Sequence, residues 1–228
     1  MEAKKLTQDQ IEWLNKCTKE NWSSNWDGTV NVFSDFDCSG QGLSNLMGVE
    51  FGFVRGSFDC SNNKLKSLKG APYSIGGDFN CSNNELETLE GITKETGKNS
   101  SSGTGGGIYC SNNKLTSLKG LPKIIWGDFD CSNNLLETLE GAPKRVNCDF
   151  DCSSNKLVTL IGGPQMVGGN RERTEDFKES NWSYKCSGNS ISDMELFKAY
   201  HEYKKALNNS KKLLEKTFVE KAKNHLNN

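Results

Sequence analysis

One eleven-residue pattern, repeated along this chain, constrains its fold more than any bulk property. Aligned on a cysteine, it reads FDCSGQGLSNL from Phe36, FDCSNNKLKSL from Phe58 and FNCSNNELETL from Phe79. It continues as IYCSNNKLTSL from Ile108, FDCSNNLLETL from Phe129, FDCSSNKLVTL from Phe150 and a degenerate YKCSGNSISDM from Tyr184. The template is F-x-C-x-x-N-x-L-x-x-L, usually followed by G-x-P. Successive cysteines lie 22, 21, 29, 21, 21 and 34 residues apart, a period of 21 with two insertions. A unit this short cannot bury its apolar side alone, so the copies must stack on one another.

Each position of the unit has a physical task. Ahead of the cysteine, Val54, Gly56, Phe58 and Cys60 alternate with polar residues, as do Ile125, Gly127, Phe129 and Cys131. Period-two alternation predicts a strand with one buried face. Cys148 stands where other copies carry glycine, so it too is expected inside. Asn63, Asn84, Asn113, Asn134, Asn155 and Asn189 then turn the chain, their amides able to serve backbone groups of their own coil and its neighbour. The two leucines fill the far side, and Gly-x-Pro sends the chain back.

Nine cysteines would otherwise suggest disulfides or a metal, but seven occupy one repeat position and no CxxC occurs. They are expected as small buried hydrophobes in a reducing compartment. The hydrophobic content of 34% suits a thin solenoid better than a sphere. No stretch approaches a membrane span and the amino terminus does not resemble a signal peptide, which points to a cytoplasmic protein.

The motif resembles the leucine-rich-repeat pattern L-x-L-x-x-N-x-L-x-x-L, with Phe and Cys in place of two strand leucines. The short period with G-x-P resembles the compact bacterial class. Together with WDGTVNVFSDFDCSGQGLSNLMGVEFGFVRGSFDCSNN from Trp26, it is also similar to a group of bacteriophage-encoded repeat proteins of uncharacterised function. The resemblance covers roughly residues 26–194. The expected fold is α+β, a leucine-rich-repeat-like β-solenoid of about seven 21-residue coils with a short helical cap at each end. Residues 1–31 are assigned to the first cap, 32–191 to the solenoid and 192–228 to the second cap.

Thr7-Gln8-Asp9-Gln10 reads as a capping box for a first helix whose stripe of Ile11, Trp13, Leu14 and Cys17 is expected to cover the end of the core. Ser192-Asp193-Met194-Glu195 reads as another, followed at helical spacing by Leu196, Tyr200, Tyr203 and Leu207. Beyond Asn208-Asn209-Ser210 a second, lysine-rich helix is expected. The two insertions, near 97–107 and 168–183, read as surface loops, the first replacing the G-x-P return of its coil.

Residues between the buried strand positions face outward and stack at about 4.8 Å. They form two files: Asp35, Ser57, Asp78, Gly107, Asp128 and Asp149, and beside it Asp37, Asp59, Asn80, Tyr109, Asp130 and Asp151. Trp126, Phe33 and Arg55 lie one step further along. Stacked carboxylates repel, by about 1 kcal/mol per close pair in water-like screening, and no benefit to the fold is evident from the sequence. Two readings stand open: a solubility device for a flat sheet, or an acidic docking strip for a protein with a basic surface, anchored by Trp126. Weak divalent-cation binding is a lesser third, without a calcium-loop motif. Lys64, Lys66, Lys69, Lys114, Lys119 and Lys156 fall beyond the asparagine turn, so an electrically sided molecule is expected.

The candidate partner-binding residues are therefore Asp35, Asp37, Asp59, Asp78, Tyr109, Trp126, Asp128, Asp130, Asp149 and Asp151. Phosphates would meet aspartates on this face, so direct nucleic-acid binding is not expected. No nucleophile elbow, P-loop, HExxH or dinucleotide fingerprint is present, and neither catalysis nor a cofactor or metal is expected. The function expected is that of a phage-derived, non-catalytic module binding a bacterial host protein, a defence or regulatory factor. A structural or assembly component of a phage particle is the alternative, and self-association is compatible with either.

Overall fold

The computed structural model describes residues 5–97, 105–168 and 184–190. After α1 (Gln8–Thr18) come β1 (Trp22–Ser24), β2 (Val30–Val32), β3 (Phe36–Asp37), β4 (Phe51–Val54) and β5 (Phe58–Asp59). Then follow β6 (Ser74–Ile75), β7 (Phe79–Asn80), β8 (Glu95–Thr96), β9 (Ile108–Tyr109) and β10 (Ile124–Ile125). The last are β11 (Phe129–Asp130), β12 (Arg145–Val146), β13 (Phe150–Asp151), β14 (Met166–Val167) and β15 (Tyr184–Lys185). The chain is a β-solenoid. The seven strands that lead into the repeat cysteines form one parallel sheet, β3-β5-β7-β9-β11-β13-β15, bounding about six full turns.

The single strand expected ahead of each cysteine is in fact two short strands separated by a bend. The first contributes to a separate side of the coil, as β2-β4-β6-β8 and then β10-β12-β14. The second carries the phenylalanine. At the bend, glycine lets neighbouring coils close up: a Cβ on Gly76 would overlap the Arg55 carbonyl, and one on Gly77 would overlap the Ser57 hydroxyl. Cys148, at the position of Gly127 in the preceding coil, is buried as expected but stands apart from the hydrophobic core cluster, near Tyr109.

Stacking copies in register puts like residues in columns. Phe36, Phe58, Phe79, Ile108, Phe129 and Phe150 are all fully buried. Phe36 and Phe58 stack with ring centroids 4.9 Å apart, and Phe129 and Phe150 at 5.5 Å. Cys38, Cys60, Cys81, Cys110, Cys131 and Cys152 form the next column, all fully buried free thiols. Burial, reinforced by neighbouring thiols, pushes Cys60, Cys81, Cys110 and Cys131 far above the ordinary thiol range. They remain protonated and inert, behaving as core.

The asparagine column satisfies the turn. Asn84 donates through Nδ2 to the carbonyls of Cys60, Cys81 and Ser82, and its Oδ1 accepts the Leu65 N–H at 2.9 Å. Asn63, Asn113, Asn134 and Asn155 repeat that bridging between adjacent coils. No buried side-chain nitrogen or oxygen among the described residues lacks a partner.

The residue before this asparagine does different work. Asn62, Asn83, Asn112 and Asn133 are exposed and left-handed, with φ between 53° and 56°. Gly40 and Gly188 fill the same slot in the first and last copies, and Ser154 fills it at φ 54°. Asparagine and glycine tolerate that conformation; serine is strained by it. Ser154→Gly is expected to raise stability by about 0.5–1 kcal/mol, seen as a higher urea midpoint at unchanged slope. A lower midpoint would refute the assignment.

At the front, Thr7 and Gln10 form the expected capping box, and α1 lays Trp13 edge-on against Phe36 at 5.3 Å. A β-hairpin not foreseen from the sequence follows: β1 pairs antiparallel with β2, which already pairs with β4, so coil pairing begins at Val30. The first insertion also differs from expectation. The return turn of its coil is intact, with Gly91 at φ 87° and Ile92 N–H on Leu89 C=O, as Gly70 and Ala71 arrange it one coil earlier. Extra residues enter one corner later, between Gly97 and Gly105, because the glycine bend accepts length without breaking either strand. Residues 98–104, most of the second insertion and the expected carboxy-terminal cap lie outside the described residues.

Candidate binding surface

The seven-stranded sheet brings the predicted acidic residues together. Parallel register pairs Asp37 with Asp59, Asp59 with Asn80, Asn80 with Tyr109, Tyr109 with Asp130, and Asp130 with Asp151. Asp35 and Asp37 are exposed; Asp59, Asp78, Asp128, Asp130, Asp149 and Asp151 are half-buried. Lys185, its Nζ 3.9 Å from Asp151 Oδ2, closes the strip at its far end.

These carboxylates do serve the fold, contrary to the sequence-based expectation. In the first file each acceptor reaches one coil onward. Asp35 Oδ1 takes the Ser57 N–H at 2.7 Å, Ser57 Oγ the Asp78 N–H at 3.1 Å, and Asp78 Oδ1 the Gly107 N–H at 2.7 Å. Asp128 Oδ1 takes the Asp149 N–H at 2.9 Å. In the second file each side chain closes a turn within its own coil. The N–H of Ser39, Ser61, Ser82, Ser132 and Ser153 donates to Asp37, Asp59, Asn80, Asp130 and Asp151 respectively. This Asx-turn geometry holds the side chains in fixed rotamers.

Tyr109 bridges the break in the strip. Its ring folds back over Gly107 and its hydroxyl donates to Asp128 Oδ2 at 3.2 Å. Burial first, then the nearby Asp78 and Asp128 carboxylates, push its phenol above the ordinary range, so it stays neutral. Trp126, predicted as the aromatic anchor, lies half-buried at the glycine bend, where a Cβ on Gly105 would overlap its own Cβ. Phe33 is partnered too, edge-on to Phe53 at 5.6 Å with the Arg55 guanidinium 5.7 Å above its ring.

A more prominent aromatic went unnoticed in the sequence. Trp26 is 87% exposed at the tip of the β1–β2 hairpin. Its turn is locked by Asp27 Oδ1, which accepts from the Thr29 N–H and hydroxyl, bonds that also hold the Asp27 carboxyl below its usual range. The signal available beforehand was N-W-D-G, a turn sequence displaying tryptophan.

At its amino-terminal end the strip borders a groove of 710 Å³ between the end of α1 and the first coil, lined in part by Lys19, Glu20, Asp35 and Asp37. The carboxy-terminal end of α1 adds negative potential there. Lys19 and Glu20 are successive left-handed residues that turn the chain at the end of α1 and form one wall of the groove.

The opposite arc is not the basic side that its lysines suggested. Lys64, Lys66 and Lys69 are followed one coil on by Glu85, Glu87 and Glu90, then by Lys114 and Lys119, then by Glu137 and Glu140. In-register stacking pairs these across coils, Lys114 with Glu85 at 3.4 Å and Lys119 with Glu140 at 3.7 Å. Opposite charges one coil apart favour the observed register, although each exposed pair stabilises by only about 0–1 kcal/mol. Charge is thus balanced on the arc and predominantly negative on the sheet, where Lys185 stands at the far end. Among the described residues no helix is long and apolar enough to cross a membrane. Comparisons with protein families, with curated proteins and with solved structures found no match to this chain.

Proposed function

We propose that this chain is a non-catalytic protein-binding module whose docking surface is the carboxylate-bearing sheet, and whose partner presents a basic surface. The observation that carries this reading is a surplus of charge. Asn80 closes the same turn as its aspartate counterparts, and Ser57 makes the same coil-to-coil link, so neutral acceptors satisfy the backbone. Eight of the file positions are nonetheless aspartate: Asp35, Asp37, Asp59, Asp78, Asp128, Asp130, Asp149 and Asp151. Their hydrogen bonds fix them before a partner arrives, which reduces the ordering cost of docking. The groove beside Asp35 and Asp37 has the size and potential to receive a lysine or arginine side chain.

The same charge repels phosphate backbones, which disfavours direct nucleic-acid binding. The resemblance to bacteriophage-encoded repeat proteins makes a bacterial host protein, a defence or regulatory factor, the first partner class to examine. The test is capture from bacterial lysate with the native chain and with Asp128→Asn, Asp130→Asn, Asp149→Asn and Asp151→Asn combined. The neutral variant keeps an oxygen for the backbone N–H groups and is expected to lose at least about 90% of captured partner, a shift of about 1.4 kcal/mol or more. Equal recovery by both chains would remove the strip from the binding site.

A further inference from the structure

We propose that residues 192–207 of this chain dock on an apolar patch formed by Leu135, Val158 and Ile161 on the outer arc of the last complete coils. The patch is a local departure from the arc's charge pattern. The file that ends in Val158 otherwise reads Lys66, Glu87, Thr116 and Glu137, and the file that ends in Ile161 reads Lys69, Glu90, Lys119 and Glu140. Leu135 interrupts a file of Lys64, Glu85, Lys114 and Lys156. Val158 is 59% exposed, Ile161 71% and Leu135 38%. Three branched apolar side chains thus face outward on adjoining coils, in files where the second to fourth copies carry only polar or charged groups.

The position of the chain names the occupant. Ser190 donates its N–H to the Leu157 carbonyl at 3.0 Å, so the polypeptide leaves the last turn directly beside Val158. Beyond it remain residues 191–228, including Leu196, Tyr200, Tyr203 and Leu207 at the spacing of one helical stripe. The link from Ser190 to Leu196 can span roughly 20 Å when extended, enough to reach any of the three residues. The arc gathers exposed branched apolar side chains at the end where an amphipathic segment of the same chain is tethered. A docking place on the side of the solenoid differs from a lid over its end, and it does not depend on the role of the acidic strip.

Hydrogen exchange on the full chain tests this, comparing the native protein with Val158→Lys combined with Ile161→Glu, which restores charges of the kind found on earlier coils. Amides of 196–207 are expected to be protected at least about tenfold in the native chain. That protection should vanish in the variant while the amides of Phe129–Cys131 stay protected. Tyr200→Asp with Tyr203→Asp, which alters no coil, should produce the same loss. Free exchange of 196–207 in the native protein, or protection that survives both variants, would overturn the proposal. Protection that disappears on dilution would assign the patch to a second copy of the chain and overturn it equally.

Discussion

Asn113→Ala is expected to destabilise the solenoid by about 2–4 kcal/mol, a large fraction of the total stability of a domain this size. Asn113 Nδ2 donates to the carbonyls of Cys81, Cys110 and Ser111, and its Oδ1 accepts the Leu86 N–H at 3.0 Å. Alanine leaves the Leu86 N–H without its acceptor and takes one of two donors from the carbonyls of Cys81, Cys110 and Ser111, which keep Asn84, Asn134 and the Asn83 N–H respectively. The orphaned N–H costs more than a hydrogen bond contributes. Asn113→Asp should be no milder, because a carboxylate oxygen would replace the amide that faces the three carbonyls. The adjacent Asn112→Ala is the control. Asn112 is exposed and left-handed at φ 54°, so its replacement should cost only about 1 kcal/mol, and Asn112→Gly close to nothing. Urea denaturation followed by circular dichroism separates these cases. Equal losses at 112 and 113 would contradict the assigned roles.

That contrast also marks how far the sequence was readable. The second asparagine recurs in six copies and the first in four, and bridging by the second followed from its place between a strand and a leucine. The first looked like a spacer. Its role depends on a backbone angle, and Gly40 and Gly188 in the same column were the clue. The buried columns of phenylalanine, cysteine and leucine followed directly from the period, since every copy repeats the same burial. The glycine bend did not, because alternation continues unbroken through Ile75, Gly77 and Phe79 although the strand does not. Glycine satisfies a buried-face pattern and a corner equally well. The hairpin at Trp22–Val32 was missed because it occurs once and period-based reasoning does not reach it.

The candidate surface was legible in position and misjudged in energy. Reading outward residues as two files was correct, and the register confirms their adjacency. Treating their charge as a pure cost overlooked where backbone N–H groups on a bent coil must find acceptors. The same oversight made the arc look basic, since lysines were counted without the glutamates stacked one coil away.

Separating charge from hydrogen bonding leads to the second large effect. Asp59, Asp78, Asp128 and Asp130 accept N–H groups from Ser61, Gly107, Asp149 and Ser132 at 2.7 to 2.9 Å. Combined replacement by alanine removes four acceptors at the edges of a thin stack. With about 1 kcal/mol for each bond, the loss should approach about 4 kcal/mol. Combined replacement by asparagine keeps an oxygen for each backbone N–H, as Asn80 already does, gives up only the side-chain bonds from Asn80 to Asp59 and from Tyr109 to Asp128, and relieves like-charge repulsion along the files. Its stability should match or exceed the native value, most clearly at low salt, where screening of the native repulsion is weakest. Thermal and urea unfolding of the two variants at low and high ionic strength measures both quantities. If the asparagine variant falls as far as the alanine variant, the negative charge itself supports the fold, and its excess no longer argues for a partner. If only the alanine variant falls, the aspartates answer two separate demands, an acceptor for the neighbouring backbone and a charge directed outward.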